Sequence, residues 1–183
     1  MKGRIETARL LLRPLSKLDA DEIAAKIDNY EISKNLARVP FPYHLSDARD
    51  FLEWALALDQ RSAFRGITLK AQPDHLIGLI SYDWVDDKQS AELGYWLIEE
   101  QWGKGLMTEA ANAMVDLAFI HSGLDSLSSC FFNENPASGK VLAHVGFVVT
   151  GACSHFSKAR GHAVPVTTVQ LLRTDWLNKK AAV

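Results

Sequence analysis

The hydrophobic pattern changes its period near residue 63, and this change limits the possible folds more than any other property of the sequence. Before it, apolar residues recur at helical spacing in two segments that follow a strand at Arg9–Arg13. Ser16 or Asp19 is predicted to cap the first helix, and Ser46 the second. After it, apolar and polar residues alternate as in strands. The chain is therefore predicted to begin with one strand and two helices and to continue into a sheet.

Three strands are predicted in a row: Ala63–Leu69, Leu76–Trp84 and Ser90–Leu97. Polar turns at Gln72–Asp74 and Asp86–Lys88 separate them, which indicates hairpins. Helices and strands then alternate over Leu106–Phe119, Ser126–Phe132, Ala137–Val145, Phe147–Cys153 and Val164–Leu172. Helices that join strands imply crossovers, so the sequence predicts an α/β (α+β) fold, a mixed sheet with helices on both faces.

The composition is that of an ordinary globular protein and excludes several functions. At 183 residues, the chain is expected to form one domain over residues 1–183. Its net charge of −2 gives no field that would recruit nucleic acid or an anionic membrane, and no apolar run reaches the roughly 18 residues of a membrane span. The charged N-terminus does not resemble a secretory signal, so the cytoplasm is the expected location.

The cysteines and histidines give no reason to expect a metal site. Cys130 and Cys153 lie in apolar stretches and are predicted to be free, buried thiols. Neither a Cys-x-x-Cys pair nor two histidines at ligand spacing occur in the sequence. His121 and His144 are assigned structural roles, and no metal is predicted.

A loop with two glycines joins the third strand of the meander to the next helix. It reads Trp102-Gly-Lys-Gly-Leu-Met107, and it precedes the free N–H groups and positive dipole end of a helix N-terminus, which favour phosphate. Glycines let the backbone approach a ligand closely. A dinucleotide fingerprint would need glycine at Thr108, and a P-loop would need Ser or Thr at Gly105. Taken alone, the loop could also be a simple turn.

Three segments together carry a resemblance to a known family: Thr7–Pro14, Gly94–Ala110 and Asn135–Phe147. They resemble the opening strand, the acetyl-CoA loop and the late Asn-x-x-Ser helix of the GNAT superfamily, most closely its RimJ/RimL branch of ribosomal-protein N-terminal acetyltransferases. The resemblance implies a mixed, mostly antiparallel sheet of about six to seven strands, splayed at the acetyl-CoA site. It also implies that acetyl-CoA, as co-substrate, donates acetyl to an amine.

The resemblance assigns the acetyl-CoA site to backbone and side-chain groups. The amide of Leu97 is expected to face the thioester carbonyl, and Asn135 to bind the pantetheine arm. The phosphates are expected at Trp102, Gly103, Lys104, Gly105, Leu106, Met107 and Thr108. Met107 is bulkier than the residue usual in the family, but a backbone N–H binds phosphate whatever its side chain. Tyr95 and Trp96 are expected to be core or wall residues.

Two side chains are predicted to take part in catalysis. An amine is mostly protonated at neutral pH and only its lone pair attacks, so a base is needed. Glu92 is the preferred base, acting directly or through a water, and a passive, solvated Glu92 is the alternative. Ser138 is expected to hydrogen-bond the leaving thiolate, with a helix cap as its alternative role. Glu99, Glu100 and Glu109 are weaker candidates for the base.

The sequence leaves the acceptor open. A protein or peptide N-terminal amine is preferred. A small amine (a polyamine, amino acid or antibiotic) and a CoA-binding module without catalysis are the alternatives. The early helices, the Pro40–Tyr43 loop and the last hairpin are expected to build the acceptor side, with Phe41, Tyr43 and Phe51 as candidate lining residues. Homodimerisation stays open.

Overall fold

The computed structural model describes residues 3–58, 62–85 and 89–182. The strands are β1 Ile5–Glu6, β2 Leu10–Pro14, β3 Ala63–Leu69, β4 Gln72–Trp84, β5 Ser90–Leu97, β6 Ser126–Phe132, β7 Val148–Ser157 and β8 His162–Leu172. The α-helices are α1 Ala20–Ile27, α2 Tyr30–Ser33, α3 Leu45–Ala57, α4 Leu106–His121, α5 Pro136–Val145 and α6 Arg173–Ala181. Short 3-10 turns, Lys17–Asp19 and Glu99–Gln101, precede α1 and follow β5.

One sheet contains all these strands, in the order β1-β2-β3-β4-β5-β6-β8-β7. Neighbouring strands are antiparallel except β5 and β6, which run parallel because α4 crosses over between them. The predicted mixed, mostly antiparallel sheet is therefore confirmed. It has eight strands instead of about six to seven, because a two-residue strand, β1, is added at one edge.

Each face of the sheet carries its own hydrophobic core. Helices α4 and α5 cover one face, where Met114 is fully buried, and α1 and α3 cover the other, where Ile23 is buried. Side chains of β5 alternate between the two faces, so Leu93 and Leu97 join the first core while Trp96 joins the second. This alternation fixes the orientation of β5, the strand that leads into the glycine loop.

One predicted turn is wrong. Gln72–Asp74 lies inside β4, and the chain reverses at Lys70–Ala71 instead. Shifts of register on both sides of Thr68 mark a β-bulge opposite the start of β4. Such irregular pairing tolerates Pro73, which has no N–H to donate, so the proline does not end the strand. The other predicted turn, Asp86–Lys88, lies outside the described residues.

The predicted helix caps have different outcomes. Ser16 precedes the turn into α1, and its backbone N–H donates to Asp19 Oδ2 at 2.7 Å. Ser46 does not cap α3, the helix for which it was predicted, because α3 begins earlier, directly after His44. The backbone N–H of His44 donates to Asp47 Oδ2 at 2.7 Å. An acid at the third helical position therefore binds back to the cap residue, and no serine is needed there.

Three elements were not predicted: β1, α2 and α6. The first two are very short, and α6 belongs to a segment expected to be a polar tail. Trp176 gives α6 its aromatic contact: its ring lies 5.4 Å from that of Phe119, and its indole donates to Asp116 Oδ1 at 2.8 Å. Lys180 Nζ also donates to Asp116 Oδ2 at 2.7 Å, and Lys179 Nζ donates to the carbonyls of His144 and Val145. One tryptophan makes no apolar stripe, so periodicity could not reveal this helix. Among the described helices, none is long and apolar enough to cross a membrane.

Candidate active site

The sheet opens between β5 and β6. Their parallel pairing joins only Ser90–Glu92 to Ser126–Ser128 within the described residues. One side-chain contact follows, from Ser129 Oγ to the Leu93 carbonyl oxygen at 2.8 Å. Beyond it no ladder pair joins the described parts of the two strands, and a cleft of about 1020 Å³ includes this gap. The splay implied by the family resemblance is therefore present.

The amide of Leu97 points into the gap. Its neighbour Ile98 donates its N–H to the Ile77 carbonyl of β4 at 2.9 Å. Backbone groups alternate in direction along a strand, so Leu97 turns its N–H and C=O away from β4. The indole N–H of Trp102 donates to this carbonyl at 2.7 Å. The Leu97 N–H on the same side can donate to a ligand.

The glycine loop leads from β5 to the N-terminus of α4. Gly103 and Gly105 have φ angles of 72° and 73°, in the left-handed region, and a Cβ at Gly103 would meet open space. Backbone conformation, and not crowding, explains these glycines. The first helical bond of α4 joins Glu109 N to Gly105 O at 3.1 Å. The N–H groups of residues 106–108 therefore have no acceptor within their own helix.

The side chains of the loop point in different directions. Met107 is buried in the core beneath α4, so its bulk lies away from the free N–H groups at the helix start. Lys104 is exposed, and its ammonium donates to Gln101 Oε1 at 3.2 Å. All the predicted site residues line the cleft except Lys104.

A polar latch near the chain start, formed by Thr7, Arg9 and Glu109, holds the loop. Arg9 donates from Nε to Glu109 Oε2 at 2.7 Å and from Nη1 to the Lys104 carbonyl at 2.9 Å. Thr7 Oγ1 donates to Glu109 Oε1 at 2.6 Å. Burial opposes ionisation of this carboxyl, but the hydrogen bonds from Thr7 and Arg9 hold its pKa below the usual range. Glu109 is therefore an anchor of the loop.

Ser138 forms a hydroxyl pair with Tyr95, which the sequence predicts only as a core or wall residue. Its Oγ lies 2.9 Å from Tyr95 Oη, and Tyr95 Oη is also 3.2 Å from the Ser138 carbonyl oxygen. Burial raises the pKa of Tyr95 to about 12, although the bond to Ser138 lowers it in part. Tyr95 therefore stays protonated near neutral pH. Strand alternation places it on the α4–α5 face, but the contact itself depends on tertiary packing.

Asn135 caps α5 and lines the cleft as well. Its Oδ1 accepts from the Ser138 N–H at 3.3 Å, and Pro136 follows at the first helical turn. This cap fixes the start of α5 beside the gap, where both Asn135 and Ser138 border the cleft. The cap geometry leaves the amide nitrogen of Asn135 available to a ligand, since the cap uses only the oxygen.

Glu92 lies where β5 and β6 separate. Its half-buried carboxylate accepts from Arg38 Nη2 at 3.0 Å. Asp83 stands directly opposite on β4, so two carboxylates are neighbours on one face, and Asp83 accepts from Ser62 Oγ at 2.7 Å. Neither Arg38 nor Asp83 was predicted as a site residue. Both are brought to Glu92 by the tertiary fold, and no local pattern indicates them.

The loop that carries Arg38 is tied to the β7–β8 hairpin. The Lys158 N–H donates to the Ala37 carbonyl at 3.0 Å, and Arg160 Nε donates to the Lys34 carbonyl at 2.8 Å. The Arg160 guanidinium also lies 5.4 Å from the centre of the Phe132 ring. These contacts hold the hairpin against the loop, next to Glu92.

The part of the cleft beneath α3 carries aromatic rings and acids. Phe64 lies 5.9 Å from Phe51 and 5.3 Å from Trp54, measured between ring centroids. The carboxylates in the lining of the cleft include Asp47, Asp50, Asp83 and Glu92. Burial, together with the charges of Asp47 and Asp50, raises the pKa of Tyr43 to about 12. This part of the cleft is therefore suited to a cation or an aromatic group.

Several predicted residues lie elsewhere or differ in burial. Cys153 is exposed on the edge strand β7, so the prediction of two buried thiols is wrong. Cys130 is half-buried, and burial raises its pKa to about 11. Phe41 is exposed and does not line the cleft, whereas Tyr43 and Phe51 do. Across the described ranges, no three His, Cys, Asp or Glu side chains are grouped to hold a metal ion.

Comparison with known proteins identifies a family. Residues 9–148 match the acetyltransferase (GNAT) domain. The chain is 30% identical over 173 residues to an uncharacterized N-acetyltransferase, p20, of Bacillus licheniformis, which covers 93% of this chain and 96% of that protein. It is 28% identical over 106 residues to a ribosomal-protein-serine acetyltransferase of Escherichia coli, over 57% of this chain and 59% of that protein.

A solved structure shares the fold. The spermidine N-acetyltransferase of Vibrio cholerae, in complex with CoA and spermine, has a TM-score of 0.79 and 22% identity, and the match covers 92% of this chain and 98% of that one. At this identity the likeness shows the fold alone. The family match includes the latch residue Arg9, the glycine loop and Asn135–Phe147. The chain therefore belongs to the GNAT acetyltransferase family, with RimJ/RimL-like N-acetyltransferases among its relatives.

Proposed function

We propose that this protein transfers acetyl from acetyl-CoA to a protein or peptide N-terminal amine, by direct attack with general-base assistance. One observation carries the proposal: a helix N-terminus, the Leu97 amide and the Glu92 carboxylate meet in one cleft. A single domain over residues 1–183 would then hold both substrates.

The residues of the donor half, from Leu97 to Thr108 together with Asn135 and Ser138, fit acetyl-CoA. Free N–H groups at the positive end of α4 suit the pyrophosphate oxygens. The Leu97 N–H would donate to the thioester carbonyl, and the Asn135 amide to the pantetheine arm. These groups are mostly backbone, so they need no particular side chain.

Glu92 is the proposed base, acting directly or through a water. The amine nitrogen attacks the thioester carbon, the C–S bond breaks, and the proton on the attacking nitrogen passes to the Glu92 carboxylate. The Arg38 guanidinium would have to release the Glu92 carboxylate before the amine could contact it. Its side chain is 75% exposed, so breaking the ion pair costs little, about 1 kcal/mol or less.

Ser138 is proposed to hydrogen-bond the thiolate as it leaves. A lone serine is a poor acid, but Tyr95 can donate to Ser138 while Ser138 donates to sulfur. Two linked hydroxyls polarise each other and stabilise the developing charge better than one. Tyr95 is therefore a positioning residue in this proposal.

The preferred acceptor follows from the sequence relative that acetylates a ribosomal protein at serine. A small cationic amine is the second candidate, because Asp47, Asp50 and Asp83 line the cleft near aromatic rings. The fold-sharing spermidine N-acetyltransferase supports this candidate only at the level of fold.

A thiol-release assay with acetyl-CoA tests the proposal. We expect CoA release with peptides that have a free N-terminus and none with the same peptides blocked at the N-terminus. Release with spermidine but not with any peptide would favour the second candidate. Acetyl-CoA binding without turnover on any amine would contradict both and favour a binding module.

A further inference from the structure

A second, smaller cavity of about 270 Å³ adjoins the cleft at Glu92, and the chemistry proposed above does not use it. The residues that border both cavities are Glu92, Ser129, Cys130 and His155. The others, on β6, β7 and β8, are Ser128, Thr150, Thr168, Val169 and Gln170. The cavity therefore extends from the proposed base across the sheet toward its β7 edge.

Seven of the nine residues that border this cavity have polar side chains, and the only acid among them, Glu92, is paired with Arg38. Thr168 Oγ1 accepts from Thr150 Oγ1 at 3.2 Å, which leaves its own hydroxyl hydrogen free to donate. Among the described residues, the side-chain amide of Gln170 has no hydrogen-bond partner, so it can both donate and accept. Hydroxyl and amide groups match a neutral amide better than a second ammonium ion.

Strand register sets the distance from the base to these groups. Glu92 lies opposite Ser128, and Ser128 lies opposite Gln170. Two strand spacings separate Glu92 from Gln170, roughly 10 Å. An extended peptide advances about 3.3–3.6 Å per residue, so a chain that begins at Glu92 reaches Gln170 with roughly its third residue.

We infer that this cavity is the subsite for the first backbone amides of a peptide acceptor, so the acceptor class is a peptide N-terminus, whose amine is followed by uncharged amides, and not a polyamine. The inference rests on the proposed function. Thr168 and Gln170 are its specificity residues, because each offers a hydrogen-bonding group that the fold does not use elsewhere.

The test compares Thr168→Val and Gln170→Met with the matched control Thr167→Val. Thr167 is next along β8, points to the other face, and donates to Asn133 outside the cavity. Each cavity variant should raise KM for a tripeptide amide about three- to tenfold, the effect of one lost hydrogen bond. The KM for acetyl-CoA, and kcat/KM for propylamine, should not change. Thr167→Val should behave as wild type with every acceptor.

The outcomes separate this inference from the proposed function. If neither cavity variant changes peptide kinetics, or if propylamine turnover falls equally, the subsite is overturned while acetyl transfer stands. Wild-type preference for spermidine over the tripeptide amide, unaffected by either variant, would also overturn it. No CoA release by the wild type with any amine would instead defeat the proposed function itself.

Discussion

The donor and acceptor halves of the cleft are built from different parts of the chain. In the proposed donor half, the groups expected to face the ligand are mostly backbone N–H groups, at Leu97 and at residues 103–108, held by a short local loop. In the proposed acceptor half, they are side chains from separate strands and loops, such as Arg38, Asp83 and Glu92. A backbone group survives most substitutions, whereas a side-chain group is lost by one. Acceptor choice can therefore change between relatives while the donor site stays the same.

The largest effect should come from the acceptor half, in Glu92→Gln. Loss of a general base typically costs about 100-fold or more in rate, so kcat should fall by at least that factor. Affinity for acetyl-CoA, measured by calorimetry, should change little. Glu100→Gln, on the exposed turn after β5, is the control. An unchanged kcat would place the base elsewhere.

In the donor half, Gly103→Ala should weaken acetyl-CoA binding about tenfold, because the strained backbone turns its N–H groups away from the phosphates. Gly123→Ala is matched to it: both glycines have φ near 70° and open space for a Cβ, but Gly123 lies outside the cleft. Chemical denaturation should show a similar loss of roughly 1–2 kcal/mol in both variants. If both variants lost acetyl-CoA affinity equally, the proposal that the glycine loop binds the phosphates would be wrong.

The smallest effect should lie where the two halves meet, in Tyr95→Phe. Losing one hydrogen bond to Ser138 should lower kcat about two- to tenfold. Because the pKa of Tyr95 is raised to about 12, the phenol stays protonated below that pH, and the wild type and variant should have pH–rate profiles of the same shape from pH 7 to pH 10. Tyr82→Phe, on the neighbouring strand and outside the cleft, is the control. If the rate of the wild type changed with pH in this alkaline range and that of the Tyr95→Phe variant did not, Tyr95 would instead transfer a proton directly.

The donor half was the more predictable of the two because its information is local. The strand β5, the glycines and the start of α4 are consecutive. The sequence therefore shows both the strand pattern and the two glycines that permit a left-handed backbone. Even the discordant Met107 is explained, since its side chain turns into the core. Phosphate binding by Lys104 stays a prediction: its side chain does not line the cleft, and a loop side chain has no periodicity from which its direction could be predicted.

The acceptor half was less predictable because its contacts join distant segments. Arg38 comes from a stretch that neither helical nor strand spacing described, and Asp83 becomes a neighbour of Glu92 only through the β4–β5 register. The same holds for α6, whose Trp176, Lys179 and Lys180 contact residues of α4 and α5 that lie far away in sequence. Local patterns thus describe most of the sheet and the donor loop, whereas long-range packing decides which side chains meet the acceptor.

The short pairing of β5 with β6 has a mechanical consequence. In the described residues, these three residue pairs are the only ladder between the β1–β5 part of the sheet and the part formed by β6, β8 and β7. So short a seam allows the two parts of the sheet to move relative to each other, and a ligand bound in the gap would restrict this motion. We therefore expect acetyl-CoA to raise the melting temperature by mass action, and to slow amide hydrogen exchange on both sides of the seam together.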